Sequence, residues 1–275
     1  MVLIKDAFPP RPEGERGSKA SKLRFRGPLQ LPARPYVLFL GGSETFGRCV
    51  ARPFVQRFER RSGVLCLNLG AANAGWEALA HDPAVVVRAR QAALNVIQLM
   101  GPQHRSNGFF QVHPRRNDRF LQGFAPLHDL FPQVDFSQFS FVGHMLDVLQ
   151  RVDGYAHRRL QYGLQMEWAA HLRAMQRLYQ KPIVFLWIDH GLDAGMGMAN
   201  AGLSRRRLRE LGLGQVPLLR VRPERGGASQ MILHPSGGAG PAAAISAAYH
   251  TRIAEALCHW VPPLLAMDDD GAWRP

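Results

Sequence analysis

Residues 36–47 have the sequence YVLFLGGSETFG, and this stretch decides the fold of the chain. It begins with five apolar residues without polar interruption, which predict a strand buried on both faces. The glycines that follow allow a sharp turn with the backbone close to a bound molecule. We therefore expect Ser43 at the carboxyl end of the strand. Residues 49–61 have helical spacing, so the unit is strand, turn and helix, and ligands of open α/β sheets bind at this edge.

Four further apolar runs predict the other strands of one sheet. They lie at residues 64–68, 95–100, 183–188 and 216–221. Segments with helical spacing separate them, and the longest covers about residues 155–179. Strands that alternate with helices form parallel sheets with right-handed crossovers. The sequence thus predicts a three-layer α/β/α domain with a five-stranded, mainly parallel sheet of flavodoxin-like type.

The composition predicts one globular domain with short flanking segments. Of the 275 residues, 46% are hydrophobic and 20% are charged, which excludes a largely disordered chain. We expect a basic arm rich in proline and glycine at residues 1–35, an α/β domain at 36–262 and a tail at 263–275. An arm of this composition becomes ordered only if it packs on the domain.

Several classes of protein do not fit the sequence. No apolar run reaches the roughly 18 residues of a membrane span, and residues 1–10 lack the apolar core of a signal peptide. We therefore expect a cytoplasmic protein without a membrane partner. Its 3 cysteines are scattered, and no histidine or cysteine pair has ligand spacing, so neither a disulfide framework nor a metal site is expected. No cofactor is indicated, and nothing in the sequence sets the oligomeric state.

The charge of the chain favours an anionic partner. The formal net charge is +13 and the isoelectric point is about 10.7. Phosphate, sulfate, an acidic polysaccharide or nucleic acid would each complement such a charge. A basic, solvated surface explains the charge equally well. Nucleic acid is the less favoured partner, because no nucleic-acid-binding motif accompanies the charge.

The turn GGSETFG at residues 41–47 resembles the first block of the SGNH (GDSL-type) hydrolases, Gly-Asp-Ser-x-Thr-x-Gly, with Gly42 in place of the aspartate. Two later strand ends, and a histidine before the last helix, follow in the order of that family. The resemblance covers about residues 36–260. It implies an SGNH-like fold in which Ser43 is the nucleophile and His234, in the segment LHPSGGAG, is its general base.

The resemblance does not identify the acid that would complete a Ser-His-acid catalytic triad. The family has an acid three residues before the histidine, and this chain has Met231 there. A Ser-His dyad is one reading, and an acid supplied from elsewhere, such as Asp189, is the other.

The resemblance also implies an oxyanion hole. Its donors would be the amide of Ser43, a glycine amide after the second strand and an amide side chain after the third strand. Gly70 and Gly75 both suit the second donor, and both are equally explained by a tight turn that needs glycine for close packing. For the third donor, Gln103 has the family's spacing, while the first asparagine in the loop is Asn107.

Residues 112–120, VHPRRNDRF, concentrate polar groups beside the predicted active edge. The candidates in this segment are His113, Arg115, Arg116, Asn117, Asp118 and Arg119. Arginine binds carboxylate, phosphate or sulfate through two parallel hydrogen bonds, so the segment is a candidate anion clamp for the substrate. A solvated basic loop is the alternative. The chain also resembles a domain family marked by GGxETFG and HPRRNDRF, and that likeness names no reaction.

Three functions follow from these observations. The leading hypothesis is an SGNH-like serine esterase or O-acyltransferase that acts on an anionic, carbohydrate-type substrate. The second is a noncatalytic protein that binds an anion or glycan on the same scaffold. The third is sulfuryl or phosphoryl transfer, which is less favoured because the turn at residues 41–43 is not followed by the lysine of a Walker-type loop.

Overall fold

The structure is a computed structural model. It describes residues 15–16, 21, 23–48, 50–189, 204–222, 231–234 and 242–265. For residues 15–16, 205, 231–234 and 242–244 it describes the backbone only.

The described residues form eleven strands and nine α-helices. The strands are β1 (Glu15–Arg16), β2 (Arg24–Phe25), β3 (Val37–Gly41), β4 (Cys66–Gly70), β5 (Leu94–Gln98), β6 (Phe110–His113), β7 (Arg116–Gly123), β8 (Ile183–Ile188), β9 (Leu218–Val221), β10 (Met231–His234) and β11 (Ala242–Ile245). The helices are α1 (Ser43–Phe46), α2 (Phe54–Ser62), α3 (Trp76–Leu79), α4 (Pro83–Gln91), α5 (Ala125–Leu130), α6 (Val142–Val152), α7 (Gly154–Tyr179), α8 (Arg205–Glu210) and α9 (Ala247–Leu265). A 3₁₀ helix covers Phe136–Gln138.

The central sheet has the strand order β4-β3-β5-β8-β9, and all of its neighbouring strands are parallel. This confirms the predicted α/β class and the five-stranded sheet. The order reverses between β3 and β5, because the chain leaves β3 toward β4 and then returns to the other side. Open α/β sheets bind ligands at such a switch point. Ser43 lies there, at the start of the helix that follows β3.

Each face of the sheet is covered by helices, as the alternating side chains of β3 illustrate. Leu38 and Leu40 face one core, which α3, α4 and α7 complete with residues such as Trp168. Val37 and Phe39 face the other core, to which α2 and α9 contribute. The three predicted layers are therefore present. Because β3 is buried on both faces, its sequence shows an apolar run and not an alternating pattern.

A third core is built from the segment of chain that connects β5 to β8. Its buried residues come from the β6–β7 hairpin, α5, α6 and the first half of α7. Residues 112–120, which the sequence offered as an anion clamp or a solvated basic loop, belong to this hairpin. Val112 and Phe120 pair across it with their side chains buried. In the sequence, polar and charged residues separate Val112 from Phe120. No alternating apolar pattern of useful length therefore indicates the strands.

Part of the amino-terminal arm packs on the open edge of β4. The amide of Arg26 donates to Gly70 O at 2.9 Å, and that of Gly27 donates to Asn68 O at 3.0 Å. Phe25 and Leu29 are buried in the core beneath. Edge strands present unpaired backbone groups, and this segment satisfies some of them.

Replacing Gly70 should destabilise the whole edge of the sheet. A Cβ atom at Gly70 would collide with the backbone of Thr45 and Phe46 in α1. We expect Gly70→Ala to lower the free energy of unfolding by about 1–3 kcal/mol, because an overpacked site must shift its neighbours. Urea denaturation measures this loss. Gly143→Ala is the matched control, since no atom lies within 4 Å of its Cβ position, and equal losses in both variants would contradict the collision.

His250 should make the protein sensitive to acid. It is 1% exposed, and its Nδ1 accepts a hydrogen bond from the amide of Phe54 at 3.1 Å. Burial, followed by the charges of Arg57 and Arg26, lowers the pKa of His250 to about 3. The unfolded chain therefore binds a proton below about pH 6.5 that the folded chain does not bind until about pH 3. Protonation therefore favours the unfolded chain, and the free energy of unfolding falls as the pH falls from about 6.5 to about 3.

The test is the stability of His250→Asn as a function of pH. Asparagine keeps an acceptor near the Phe54 amide and does not titrate. Between about pH 4 and 6, the fall in unfolding free energy should become shallower by up to about 1.4 kcal/mol per pH unit, the contribution of one proton. Urea denaturation at several pH values gives the slope. An unchanged slope would exclude the histidine as its source.

Candidate functional site

The turn between β3 and α1 presents Ser43 at the switch point. Ser43 is the first residue of α1 and is partly exposed. A Cβ atom at Gly41 would collide with the side chains of Thr45 and Gln98, so this position requires glycine. At the other end of the helix, Gly47 has φ 70° and ψ 51°, the left-handed conformation that favours glycine at a helix end. Local packing and backbone conformation therefore explain the glycines at both ends of the motif.

Gln98, the last residue of β5, holds this turn from the neighbouring strand. Its Oε1 accepts hydrogen bonds from the amide of Gly42 at 3.2 Å and the hydroxyl of Thr45 at 2.6 Å. Its Nε2 donates to Glu44 Oε2 at 2.9 Å. Gln98 is only 4% exposed. Sequence analysis missed its role, although a polar residue near the end of a buried strand was an available signal.

Asn73, in the loop after β4, contacts the hydroxyl of Ser43 directly. The amide of Asn73 donates to Ser43 Oγ at 3.0 Å, and Ser43 Oγ donates to Asn73 Oδ1 at 3.3 Å. Arg48 Nη1 also donates to Asn73 Oδ1, at 3.4 Å. Asn73 has φ 59°, a conformation in which asparagine is enriched. The backbone amide is thereby aimed at the serine oxygen. Sequence analysis did not assign Asn73 to the site.

Asn117 links the basic segment to the same loop. Its amide donates to Asn73 O at 3.3 Å, and its Nδ2 donates to Ala74 O at 3.4 Å. A Cβ atom at Gly75 would lie 2.9 Å from Asn117 Cβ. Glycine at this position therefore permits the hairpin to approach the loop closely.

The other members of the basic segment are dispersed by the hairpin. Successive residues of a strand point to opposite sides, so Arg116 and Asp118 are exposed while Asn117 and Arg119 face the body of the protein. The guanidinium of Arg119 lies 4.0 Å from the centre of the Phe141 ring. Arg116 and Arg119 therefore lie on opposite faces of β7.

The remaining two members lie at the turn of the hairpin. His113 Nδ1 accepts a hydrogen bond from the amide of Arg115 at 3.1 Å. The imidazole of His113 thereby shapes the turn, and the side chain of Arg115 is exposed.

Gly70 packs closely within its own loop. Its amide donates to Asn68 Oδ1 at 2.9 Å, and Asn68 Nδ2 donates to Thr45 O at 2.9 Å. Gly75 begins α3 and lies beside Asn117 and His104. Of the two candidate glycines, Gly75 is the one whose loop contacts the hairpin.

The two candidate amide side chains have different surroundings. Gln103 is 2% exposed, and its Nε2 lies 3.3 Å from Nε2 of His104. Asn107 Oδ1 accepts hydrogen bonds from the amides of Phe109 at 2.9 Å and Phe110 at 3.0 Å. The side chain of Asn107 therefore shapes the entry to the hairpin.

Asp189 follows β8 and is held by arginines. Its Oδ2 accepts hydrogen bonds from Arg220 Nε at 3.0 Å and Nη2 at 2.6 Å, and Arg222 Nε lies 3.6 Å away. The hydroxyl of Tyr249 donates to the carbonyl of Asp189. Burial is the main cause that raises the pKa of Tyr249, so its hydroxyl stays protonated and available as a donor.

His234 is the last residue of β10. It pairs with Ala242 of β11, and β11 in turn contacts α1, the helix that begins at Ser43. The hairpin that contains His234 therefore lies next to the Ser43 helix. The position of the imidazole itself lies outside the described residues.

Across the described ranges, no three side chains of histidine, cysteine, aspartate or glutamate are grouped as metal ligands. Within the same ranges, no helix combines the length and apolar character needed to cross a bilayer.

Comparison with known proteins places the chain in a family. A family model described as a domain of unknown function, DUF6473, matches residues 17–265. The chain belongs to the DUF6473 family. No curated protein matches its sequence.

Two solved structures resemble this DUF6473 chain. One is a protein from Desulfitobacterium hafniense DCB-2 described as lipolytic and of the G-D-S-L family, with 12% identity and a TM-score of 0.44 over 82% of this chain and 99% of that one. The other is the lipase Lip_vut3 from a goat rumen metagenome, with 12% identity and a TM-score of 0.43 over 82% of this chain and 96% of that one.

Gln98→Met should damage the Ser43 turn. Methionine has a similar length but leaves the Gly42 amide and the Thr45 hydroxyl without their buried acceptor. We expect the free energy of unfolding to fall by about 1–3 kcal/mol, the cost of unpaired buried polar groups. Thermal and urea denaturation measure this loss. Gln111→Met is the control, because Gln111 forms an exposed hydrogen bond with Gln122, and a comparable loss there would refute the role given to Gln98.

Proposed function

We propose that this DUF6473 protein is an SGNH-like serine esterase or O-acyltransferase that acts on an anionic, carbohydrate-type substrate. The observation that supports this most directly is the placement of Ser43. Its hydroxyl is partly exposed at the switch point of the sheet, and the amide of Asn73 lies 3.0 Å from its oxygen. The resemblance of residues 41–47 to the first SGNH block points to the same chemistry.

In the proposed reaction, Ser43 Oγ attacks the carbonyl carbon of an acyl ester. The proton of the hydroxyl passes to His234, and the new bond to Ser43 forms a tetrahedral intermediate. Collapse of the intermediate breaks the ester bond, and the alcohol leaves with the proton from His234. Water or a second alcohol then attacks the acyl-serine with His234 again as the base, which gives hydrolysis or acyl transfer.

Negative charge develops on the carbonyl oxygen in this reaction, and the backbone around Ser43 offers donors for it. We assign this role to the amides of Ser43 and Asn73, with Gly75 in the same loop. The Asn73 amide lies 3.0 Å from Ser43 Oγ, beside the carbonyl group that this oxygen would attack, which supports the assignment. Gln98 supports the arrangement indirectly, since it fixes the Gly42–Thr45 turn.

The position of the His234 hairpin supports the choice of general base. The β10–β11 hairpin that contains His234 borders α1 through β11.

Arg48 donates to Asn73 Oδ1, which brings a guanidinium to the loop that contacts Ser43. Arg115 and Arg116 add exposed positive charge at the turn of the β6–β7 hairpin. An anionic substrate complements these three groups.

One observation favours the noncatalytic alternative. Asp189 is engaged by Arg220 and Arg222, so its carboxylate is already neutralised by guanidinium groups. An anion-binding protein on this scaffold needs no triad acid. The catalytic proposal instead requires a Ser-His dyad or a change of partners at Asp189.

Reaction with a fluorophosphonate probe tests the proposal. We expect the folded protein to be modified at Ser43, as mapped by mass spectrometry, and Ser43→Ala to lose the label. Loss of a nucleophile of this kind reduces turnover by more than about 10³-fold, measurable with a chromogenic acetyl ester. His234→Ala should slow labelling by about 10²–10⁴-fold, the range of general-base catalysis.

Ser137→Ala is the matched control, because Ser137 lies in the separate 3₁₀ helix. It should label at the rate of the unmodified protein. Absence of labelling in protein shown to be folded by circular dichroism would instead support the anion-binding alternative.

A further inference from the structure

A separate cavity lies between α5 and the first half of α7. It has a volume of about 620 Å³, within the range of about 300–1,000 Å³ that small-molecule sites occupy. Phe109 lines the cavity, and its ring packs directly against the backbone at Gly163. Glycine in the middle of a helix reduces stability, but here it lets an aromatic ring line the cavity. None of the residues proposed to act at Ser43 lines it.

Two tyrosines of α7 line the cavity and are unusually exposed. Tyr155 is 66% and Tyr162 is 56% exposed. They are seven residues apart, so they lie on one side of the helix about 10 Å apart along its axis. Each ring has a guanidinium beside it. That of Arg158 lies 5.8 Å from the centre of the Tyr155 ring, and that of Arg207 lies 5.0 Å from the centre of the Tyr162 ring. Tyrosine rings with accessible faces provide flat apolar surfaces with a polar tip, which suits a ligand that is partly apolar and partly hydroxylated.

The charged side chains that line the cavity favour a ligand with one negative charge. Arg158, Arg159 and Asp129 line it, which gives a net charge of +1 from two guanidiniums and one carboxylate. Among the described residues, no acidic side chain forms an ion pair with either arginine. A ligand with one negative charge would neutralise the cavity. Asp129 accepts hydrogen bonds and would repel a second negative charge.

We propose that this cavity binds a uronate unit of an acidic polysaccharide. The apolar face of the sugar ring packs on Tyr155 or Tyr162, the carboxylate is bound by Arg158 and Arg159, and a sugar hydroxyl donates to Asp129. Guanidinium groups bind carboxylates through paired hydrogen bonds. A nucleoside monophosphate fits less well, because its phosphate brings nearly two negative charges to a site that contains Asp129.

The site goes beyond the proposed acyl chemistry and does not depend on it. The β6–β7 hairpin connects the two places, because Phe109 directly precedes β6 while Asn117 of β7 contacts the Ser43 loop. A polysaccharide held in the cavity would thus be held by the domain that presents Ser43. The binding itself should survive the loss of Ser43.

Isothermal titration calorimetry of the full chain with trigalacturonate tests the proposal. Its trimethyl ester is the matched uncharged ligand, and adenosine monophosphate is the nucleotide probe. We expect saturable binding of the acid that weakens with salt and at least tenfold weaker binding of the ester and the nucleotide. Arg158→Gln combined with Arg159→Gln should weaken binding of the acid at least tenfold. Ser43→Ala should bind as the unmodified protein does, which separates this result from a failure of the acyl chemistry.

Two further variants complete the test. Arg52→Gln with Arg60→Gln removes the same charge near α2, on the other face of the sheet, and should leave binding unchanged. Leu130→Trp places a larger ring in the cavity without altering its charge and should weaken binding at least tenfold. The proposal is overturned if trigalacturonate does not bind, if the ester or the nucleotide binds as tightly, or if the Leu130 variant and the double arginine variant at the cavity bind normally.

Discussion

The hydrogen bonds of Gln98 are the constraint on which the presentation of Ser43 depends. One amide side chain at the end of β5 binds the Gly42 amide, the Thr45 hydroxyl and the Glu44 carboxylate. These three groups belong to the turn that contains Ser43. Because Gln98 is buried, the exchange of its partners for water is prevented. The switch point of the sheet is thereby joined across two strands into one rigid unit.

The loop after β4 completes that unit from the opposite side. Asn73 contacts the serine oxygen, and Asn117 of the hairpin holds the backbone of Asn73. The amino-terminal arm adds to the same region, because Arg26 donates to the carbonyls of Phe46 and Gly47 at the end of α1. Three segments distant in sequence therefore fix a turn of a few residues. This explains how a short polar loop can present a hydroxyl in one defined position.

The β6–β7 hairpin also separates the side chains of the basic segment, because successive residues of β7 point to opposite sides. Arg116 and Asp118 face solvent, while Asn117 and Arg119 face the protein. Asn117 and Arg119 make contacts within the protein, whereas Arg115 and Arg116 are exposed at the turn of the hairpin. Two further arginines, Arg158 and Arg159 of α7, line the cavity beside Tyr155 and Tyr162.

The sequence by itself determined the five strands, their parallel arrangement and the position of Ser43 after the first of them. These features depend on local apolar runs and glycine turns, which adjacent residues specify. Only the tertiary structure decided which polar side chains meet at the serine. Gln98, Asn73 and Asn117 come from different elements, and strand alternation places Arg116 and Arg119 on opposite faces of β7. Such meetings depend on strand order and packing, which no single segment encodes.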